Sequence, residues 1–254
     1  MSGNARSAGV TVTSRVLALL GAFDDRHHSL TLTELARRAE LAVPTAHRIV
    51  AELADWGALQ RDGSGRYQIG RRLWDLGLLA PIHSDLQQIA SPFLQDLYAA
   101  TLATVHLAVR DGDQVLYIDR LSGHASVPVV STVGSRLPLY ATGVGKVLLA
   151  YAPAEVRQRV LTSLRRVTPY TITQPGRLQA QLRRVPTDGF AQTADEMSLG
   201  ASSVAVPVRS PDARVIAALG VVVPALKRDR ARLVAALGVA AHGISRTLAV
   251  TPTI

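Results

Sequence analysis

Cysteine is absent from this chain of 254 residues. That excludes disulfides and thiolate metal sites, and it suits a reducing, cytoplasmic setting. Long apolar runs are missing too: none reaches the ~18 residues of a membrane span. The opening MSGNARSAGVTVTS lacks the apolar centre of a signal peptide. No membrane partner is expected. Acidic charge is in short supply, with 19 Asp and Glu against 28 Lys and Arg, a net charge of +9. Such a balance favours a polyanionic partner. It does not locate the binding face, because residues 1–80 hold 10 Arg against 8 acidic residues and the remainder 18 basic against 11. With 48% hydrophobic residues the chain can still bury a real core, in two ordinary domains or one large one.

Catalytic signatures are equally scarce. His27, His28, His47, His83, His106, His124 and His242 show no HExxH or comparable ligand spacing. No metal or cofactor is expected. There is no G-x-S-x-G elbow. Thr142-Gly143-Val144-Gly145-Lys146 suggests a phosphate loop, but Tyr140 stands where that pattern needs Gly, and Val147 where it needs Ser or Thr. A glycine-rich helix start could still hold a small anion on its free N–H groups. Asp195-Glu196 is the one acidic pair in a plausible pocket, and adjacent side chains usually diverge. Nothing here argues for an enzyme.

What is present centres on Leu41–Trp56, LAVPTAHRIVAELADW. Pro44 suits the first turn of a helix, where its missing N–H is not needed. Ala46, Ile49, Val50 and Leu53 recur at helical spacing as a buried stripe, leaving Thr45, His47, Arg48 and Glu52 outside. Ahead of it, Val12, Val16, Leu19, Leu20 and Phe23 mark one helix. Thr31-Leu32-Thr33-Glu34 opens another as a capping box. Leu59-Gln60, a glycine-rich turn over Arg61–Arg66 and Tyr67-Gln68-Ile69 then form a hairpin. Three helices and a hairpin are the order of a winged helix-turn-helix, with Arg61 and Arg66 flanking the wing tip. The candidate DNA contacts are Thr33, Thr45, His47, Arg48, Arg61 and Arg66.

The domains expected are a flexible arm over 1–10, the winged helix-turn-helix over 11–70, a linker helix over 71–82 and an effector domain over 83–254. In the last, 82–101 reads as a helix, and 104–110 with 113–120 as a hairpin. Val127–Val133, Gly189–Thr193, Ser203–Arg209 and Arg214–Val223 read as further strands. Gly143–Tyr151, Pro153–Leu164, Pro175–Val185 and a stretch from Leu233 to Leu248 read as helices. This is an α+β pattern with a mostly antiparallel sheet.

The run LTLTELARRAELAVPTAHRIVAELADWGALQRDGSGRYQIGRRLWDLG resembles the DNA-binding domain of the IclR family of bacterial transcriptional regulators. The resemblance continues through TVHLAVRDGDQVLYIDRLSG, VGSRLPLYATGVGKVLLA, TPYTITQP and GFAQTADEMSLGASSVAVPV, covering about residues 12 to 248. It implies double-stranded operator DNA as one partner and a small-molecule effector as another. It also implies a GAF-like effector domain and a homodimer or a tetramer built as a dimer of dimers, paired partly through the first and linker helices. The chain departs from the family at Val43 and Pro44, where Lys or Ser often opens the recognition helix. Carried over by motif, the effector residues are Leu137, Gly143, Val144, Thr193, Ser203, Gly220 and Val222. Thr193 stands where Asp is frequent, Gly220 and Val222 where hydroxyl residues are frequent, and Ser203 where Cys often stands. The expected pocket is therefore roomy and weakly polar, suited to a small organic acid with a sizeable apolar part, including aromatic acids. Two rival readings remain: a small-molecule enzyme with an accessory N-terminal domain, and an architectural DNA-binding protein without a ligand.

Overall fold

A computed structural model describes residues 11–24, 27–78, 84–123, 127, 129–226 and 229–250. The arm over 1–10 and the end of the linker over 79–82 lie outside them. The chain divides into two compact units, Met1–Ile82 and His83–Ile254.

The first unit is a winged helix-turn-helix: α1 (Val12–Leu20), α2 (Leu32–Arg38), α3 (Val43–Asp55), β1 (Leu59–Arg61), β2 (Tyr67–Ile69) and α4 (Arg71–Leu78). Each start has a local cause. The Thr11 hydroxyl accepts from the Ser14 N–H to cap α1, and Thr31 and Glu34 form the full capping box on α2. No side chain caps α3, whose Pro44 removes one of the N–H groups that would need capping. Leu19, Leu35, Ala46, Ile49, Val50 and Leu59 share one core. In the wing, Asp62 Oδ1 accepts from Ser64 N–H at 2.9 Å and Arg66 N–H at 3.0 Å, closing the turn. Leu30 and Tyr67 exchange backbone hydrogen bonds at 2.9 and 2.7 Å, an isolated bridge that ties the segment before α2 to β2. The first turn of α4 is fixed to this unit, with the Arg72 guanidinium 4.5 Å above the Trp56 ring.

The second unit is a six-stranded antiparallel sheet with helices on both faces. It comprises α5 (Ser84–Thr101), β3 (Thr104–Asp111), β4 (Gln114–Leu121), β5 (Arg136–Pro138), α6 (Gly143–Ala150), α7 (Ala154–Thr162), α8 (Pro175–Asp188), β6 (Ala191–Ala194), β7 (Ser202–Arg209), β8 (Val215–Val223) and α9 (Arg230–Val250). Strand order is β5-β4-β3-β8-β7-β6. One face carries the bulk: Val105, Leu107, Val206 and Leu219 pack with Leu94 of α5 and Leu237 and Ile244 of α9. By length and composition α9 could cross a membrane, but that stripe seats it on the sheet. The opposite face carries small residues, Ala108, Ala205, Ala218 and Gly220, and α6 lies against it with α7 and α8. Period-two alternation thus separates a large-residue face from a small-residue face.

Three expected boundaries differ. No strand forms over Val127–Val133 among its described residues; a turn over Thr132–Ser135 instead feeds β5, which pairs with β4. The β-branched run is real, but residues 132–135 close a turn, with Ser135 N–H donating to Thr132 O at 3.0 Å, instead of laddering with a neighbouring strand. The helix expected to end at Val185 runs through Pro186 to Asp188. Proline in the last turn costs it one hydrogen bond rather than its existence. Gly189 is the left-handed cap of that helix (φ 78°), not the first residue of a strand.

Candidate functional site

The outward face of α3 presents His47 and Arg48 fully and Thr45 in part, while Ala46, Ile49 and Val50 are buried behind them. Thr33 is exposed on the first turn of α2. The wing arginines part company. Arg61 is exposed, its guanidinium 5.7 Å from the Tyr67 ring centre and its Nε donating to Gly65 O at 3.2 Å. Arg66 folds back on α2, its Nη2 donating to Ser29 O at 2.8 Å and Glu34 Oε2 at 2.9 Å. Bonds from Thr31, and then the charge of Arg66, hold the Glu34 carboxyl below its ordinary value. In the free protein Arg66 thus ties the wing to the capping box while its side chain stays partly exposed.

In the second unit, α6 and the small-residue face line a narrow, half-open cavity of about 50 Å³. Leu137, Gly143, Val144, Thr193, Ser203, Gly220 and Val222 all line it. Register explains why residues so distant in sequence meet. Thr193 pairs with Ser203 and Ser203 with Val222 in one row, while His106 and Ala205 flank Gly220 in the next. Paired residues point to the same face. The Thr142 hydroxyl caps α6 by accepting from Gly145 N–H at 3.1 Å. Gly143 N–H donates to Ser203 Oγ at 3.2 Å, and Ser203 Oγ lies 2.6 Å from Thr193 Oγ1. A Cβ at Gly143 would stand 2.6 Å from Ser203 Oγ, so glycine is what lets the helix start sit on β7. At Gly220 a Cβ would meet Val144 Cγ1 at 2.9 Å. The room expected there is occupied by Val144, not left for a ligand.

The family description "Bacterial transcriptional regulator IclR C-terminal" matches residues 81–246, and "IclR helix-turn-helix domain" matches residues 12–63. The chain belongs to the IclR family. A crystal structure of an IclR homolog complexed with 4-hydroxybenzoate, from Microbacterium hydrocarbonoxydans, is 35% identical with a TM-score of 0.90. That match covers 95% of this chain and 100% of the other. The HTH-type transcriptional regulator Rv1719 of Mycobacterium tuberculosis is 32% identical over 87% of this chain and 85% of its own length. The Pca operon regulatory protein of Acinetobacter baylyi is 30% identical over 84% and 79%. This IclR-family chain is a DNA-binding transcriptional regulator, not an enzyme.

The regulator's cavity also contains groups that sequence reasoning passed over. His106, Tyr117 and Ser131 line it. His106 Nε2 lies 2.9 Å from Ser131 Oγ, and its ring meets Tyr117 edge-on at 4.9 Å. Burial, and then the charge of Arg120, push His106 down to about 3, so its imidazole is neutral. Burial pushes the Tyr117 hydroxyl up to about 12 against a hydrogen bond with Thr142. The alternation of β3 was the available signal, since His106 shares a face with Ala108. Lys146 is no phosphate ligand: its Nζ donates to Glu196 Oε1 at 2.6 Å and Gln181 Oε1 at 2.8 Å, with Lys146 only 1% exposed. Asp195, at φ 58°, turns away and accepts from Gly200 N–H at 2.6 Å. The acidic neighbours do diverge.

Proposed function

We propose that this IclR-family regulator binds operator DNA through α3 and the wing, and that a small organic acid with an aromatic body, held in the α6 cavity, sets its DNA affinity. The carrying observation is the cavity itself. Residues from six strands and a helix start converge on one half-open pocket, without a charged side chain in its lining. The binding of 4-hydroxybenzoate by the Microbacterium homolog supports the aromatic choice. Apolar contact would contribute at roughly 25 cal/mol per Å² buried, with Ser203 and Thr193 as polar anchors. The effector acts only as far as it binds DNA-competent and DNA-incompetent arrangements unequally.

Calorimetry against 4-hydroxybenzoate, benzoate, pyruvate and glyoxylate tests the effector class. Aromatic acids are expected to bind and to shift operator affinity. Tight binding of pyruvate or glyoxylate with no response to a larger acid would sink the reading. Any side chain at position 220 meets Val144, so cavity filling is better tested at Val222. Val222→Phe should abolish the ligand response and leave operator binding intact in the absence of ligand.

Two copies reading a pseudo-palindrome complete the proposal, in the cytoplasm where operator DNA lies. Exposed Val12 and Leu17 on α1 and Trp74 and Leu76 on α4 support pairing through the N-terminal units. The wing gives a separate test. Arg66→Ala should speed amide exchange at Leu30 and Tyr67 in the free protein, because it unties the wing from Glu34. Arg61→Ala should leave exchange unchanged and flatten the salt dependence of DNA binding. Equal exchange in the two variants would refute this division of labour.

A further inference from the structure

The fold answers only one of the two nitrogens of His106. His106 is 3% exposed and lines the cavity. Its Nε2 lies 2.9 Å from the Oγ of Ser131, itself buried and part of the same lining. Nδ1 has no hydrogen-bond partner among the described residues. Among those residues, the sealed side-chain atoms without a partner are Thr104 Oγ1, Arg120 Nε and Glu196 Oε2. Nδ1 is not one of them, so a water or a ligand group can reach it. The ring is fixed from the side by Tyr117, edge-on at 4.9 Å. Polar groups this deep normally have a partner, and here binding can supply it.

Charge and tautomer decide what that nitrogen takes. Burial keeps the ring neutral, so it carries one N–H donor and one bare acceptor. When Ser131 donates to Nε2, Nδ1 holds the hydrogen and donates to a ligand. When Ser131 accepts from Nε2, Nδ1 is the acceptor. The pair therefore meets a donor or an acceptor equally, which suits a hydroxyl group, since a hydroxyl is both. We propose that His106, oriented by Ser131, reads a hydroxyl substituent on the effector. The inference rests on the effector reading above, and it gives the ligand a direction. At Ser203 and Thr193 the mutual bond uses one hydroxyl hydrogen and leaves the other to donate, beside the positive end of α6. The acid group belongs there, and the hydroxyl at His106. β8 lies between β3 and β7, so the two stations are two strand spacings apart, about 10 Å. A ring substituted at opposite ends addresses both once the side chains reach inward.

The test uses two pairs of acids that differ by one hydroxyl: 4-hydroxybenzoate with benzoate, and 6-hydroxyhexanoate with hexanoate. These are titrated calorimetrically into the full-length protein and into His106→Phe, His106→Asn and Ser131→Ala. The parent should prefer the hydroxylated member of a pair about tenfold. His106→Phe keeps a ring against Tyr117 and should cut that preference to within twofold, by weakening the hydroxy acid alone. His106→Asn places a polar atom near the Nδ1 position and should recover part of the preference. Ser131→Ala leaves the imidazole in place and removes only its orienting bond, so the preference should narrow without vanishing. An undiminished preference in His106→Phe would overturn the subsite even if aromatic acids bind. A His106-dependent preference for 6-hydroxyhexanoate, with neither benzoate bound, would uphold the subsite and refute the aromatic reading. Equal binding of 4-hydroxybenzoate and benzoate by the parent would overturn the subsite and leave the aromatic cavity standing. Failure of all four acids to bind would overturn both.

Discussion

Lys146→Met should destabilise the effector domain by about 3–5 kcal/mol, the range for removing one partner of a buried ion pair. Against a typical total of about 5–15 kcal/mol, that is a large fraction. Lys146 Nζ lies 2.6 Å from Glu196 Oε1, both side chains are almost wholly enclosed, and Glu196 Oε2 has no hydrogen-bond partner. Burial pushes the Glu196 carboxyl up, and Lys146 opposes that shift more than any other group. With methionine in place burial's upward push is opposed only by the weaker Ile172 backbone bond and the Arg177 charge. A carboxyl raised in the folded state contributes stability below its unfolded value and loses it as pH rises through the folded one. The variant's deficit should therefore be full at neutral pH and shrink as pH falls toward 4.5. Urea unfolding at several pH values measures both effects. Lys146→Met combined with Glu196→Leu should recover most of the loss, since no buried charge then remains. An unchanged midpoint in the single variant would refute the account.

The same pair bears on ligand binding. The Thr171 hydroxyl donates to Glu196 O at 2.7 Å and the Thr168 hydroxyl to Asp195 O at 2.6 Å. The next two residues, Met197 and Ser198, line the cavity. One wall is thus held by a charge pair and two threonines. Weakened effector binding should accompany the stability loss in Lys146→Met and return with it in the double variant.

Legibility followed the range of the interactions. The capping box, the α3 stripe and the hairpins are written within a few residues of one another, and they could be read directly. The seven cavity positions were reached through resemblance, because only strand register brings Thr193, Ser203 and Val222 into one row. Gly220 shows the limit of that route. A glycine in place of a hydroxyl residue reads as empty space, whereas Val144, 76 residues earlier, fills it. The partners that hold Arg66 are likewise remote, 32 and 37 residues away in the sequence. His106 and Arg120 carry no motif at all. Their pairing depends on a bulge at Leu107/Ala108 that shifts the register by one residue.

Arg48→Ala should weaken specific operator binding by about 1–3 kcal/mol per half-site if Arg48 reads a base. Arg48 is exposed on the outward face of α3, one residue from His47, and the core stripe leaves that face free along the helix. Val43 and Pro44 offer no hydrogen-bonding side chain at the helix start, so base reading falls to the next turn. A homodimer places the substitution in both half-sites, and the two losses add when the sites are separate. A tenfold loss per half-site becomes about a hundredfold on the full operator. Non-specific DNA separates the alternatives. A base-reading Arg48 should leave non-specific affinity nearly unchanged and narrow the ratio between the two. A phosphate-binding Arg48 should weaken both alike and reduce the salt slope by about one. His47→Ala, one residue away on the same face, is expected to lose less, since an imidazole makes a weaker contact than a bidentate guanidinium. Titrations of operator and scrambled duplex at three salt concentrations decide among these. Parental affinity for both duplexes in Arg48→Ala would remove α3 from the interface.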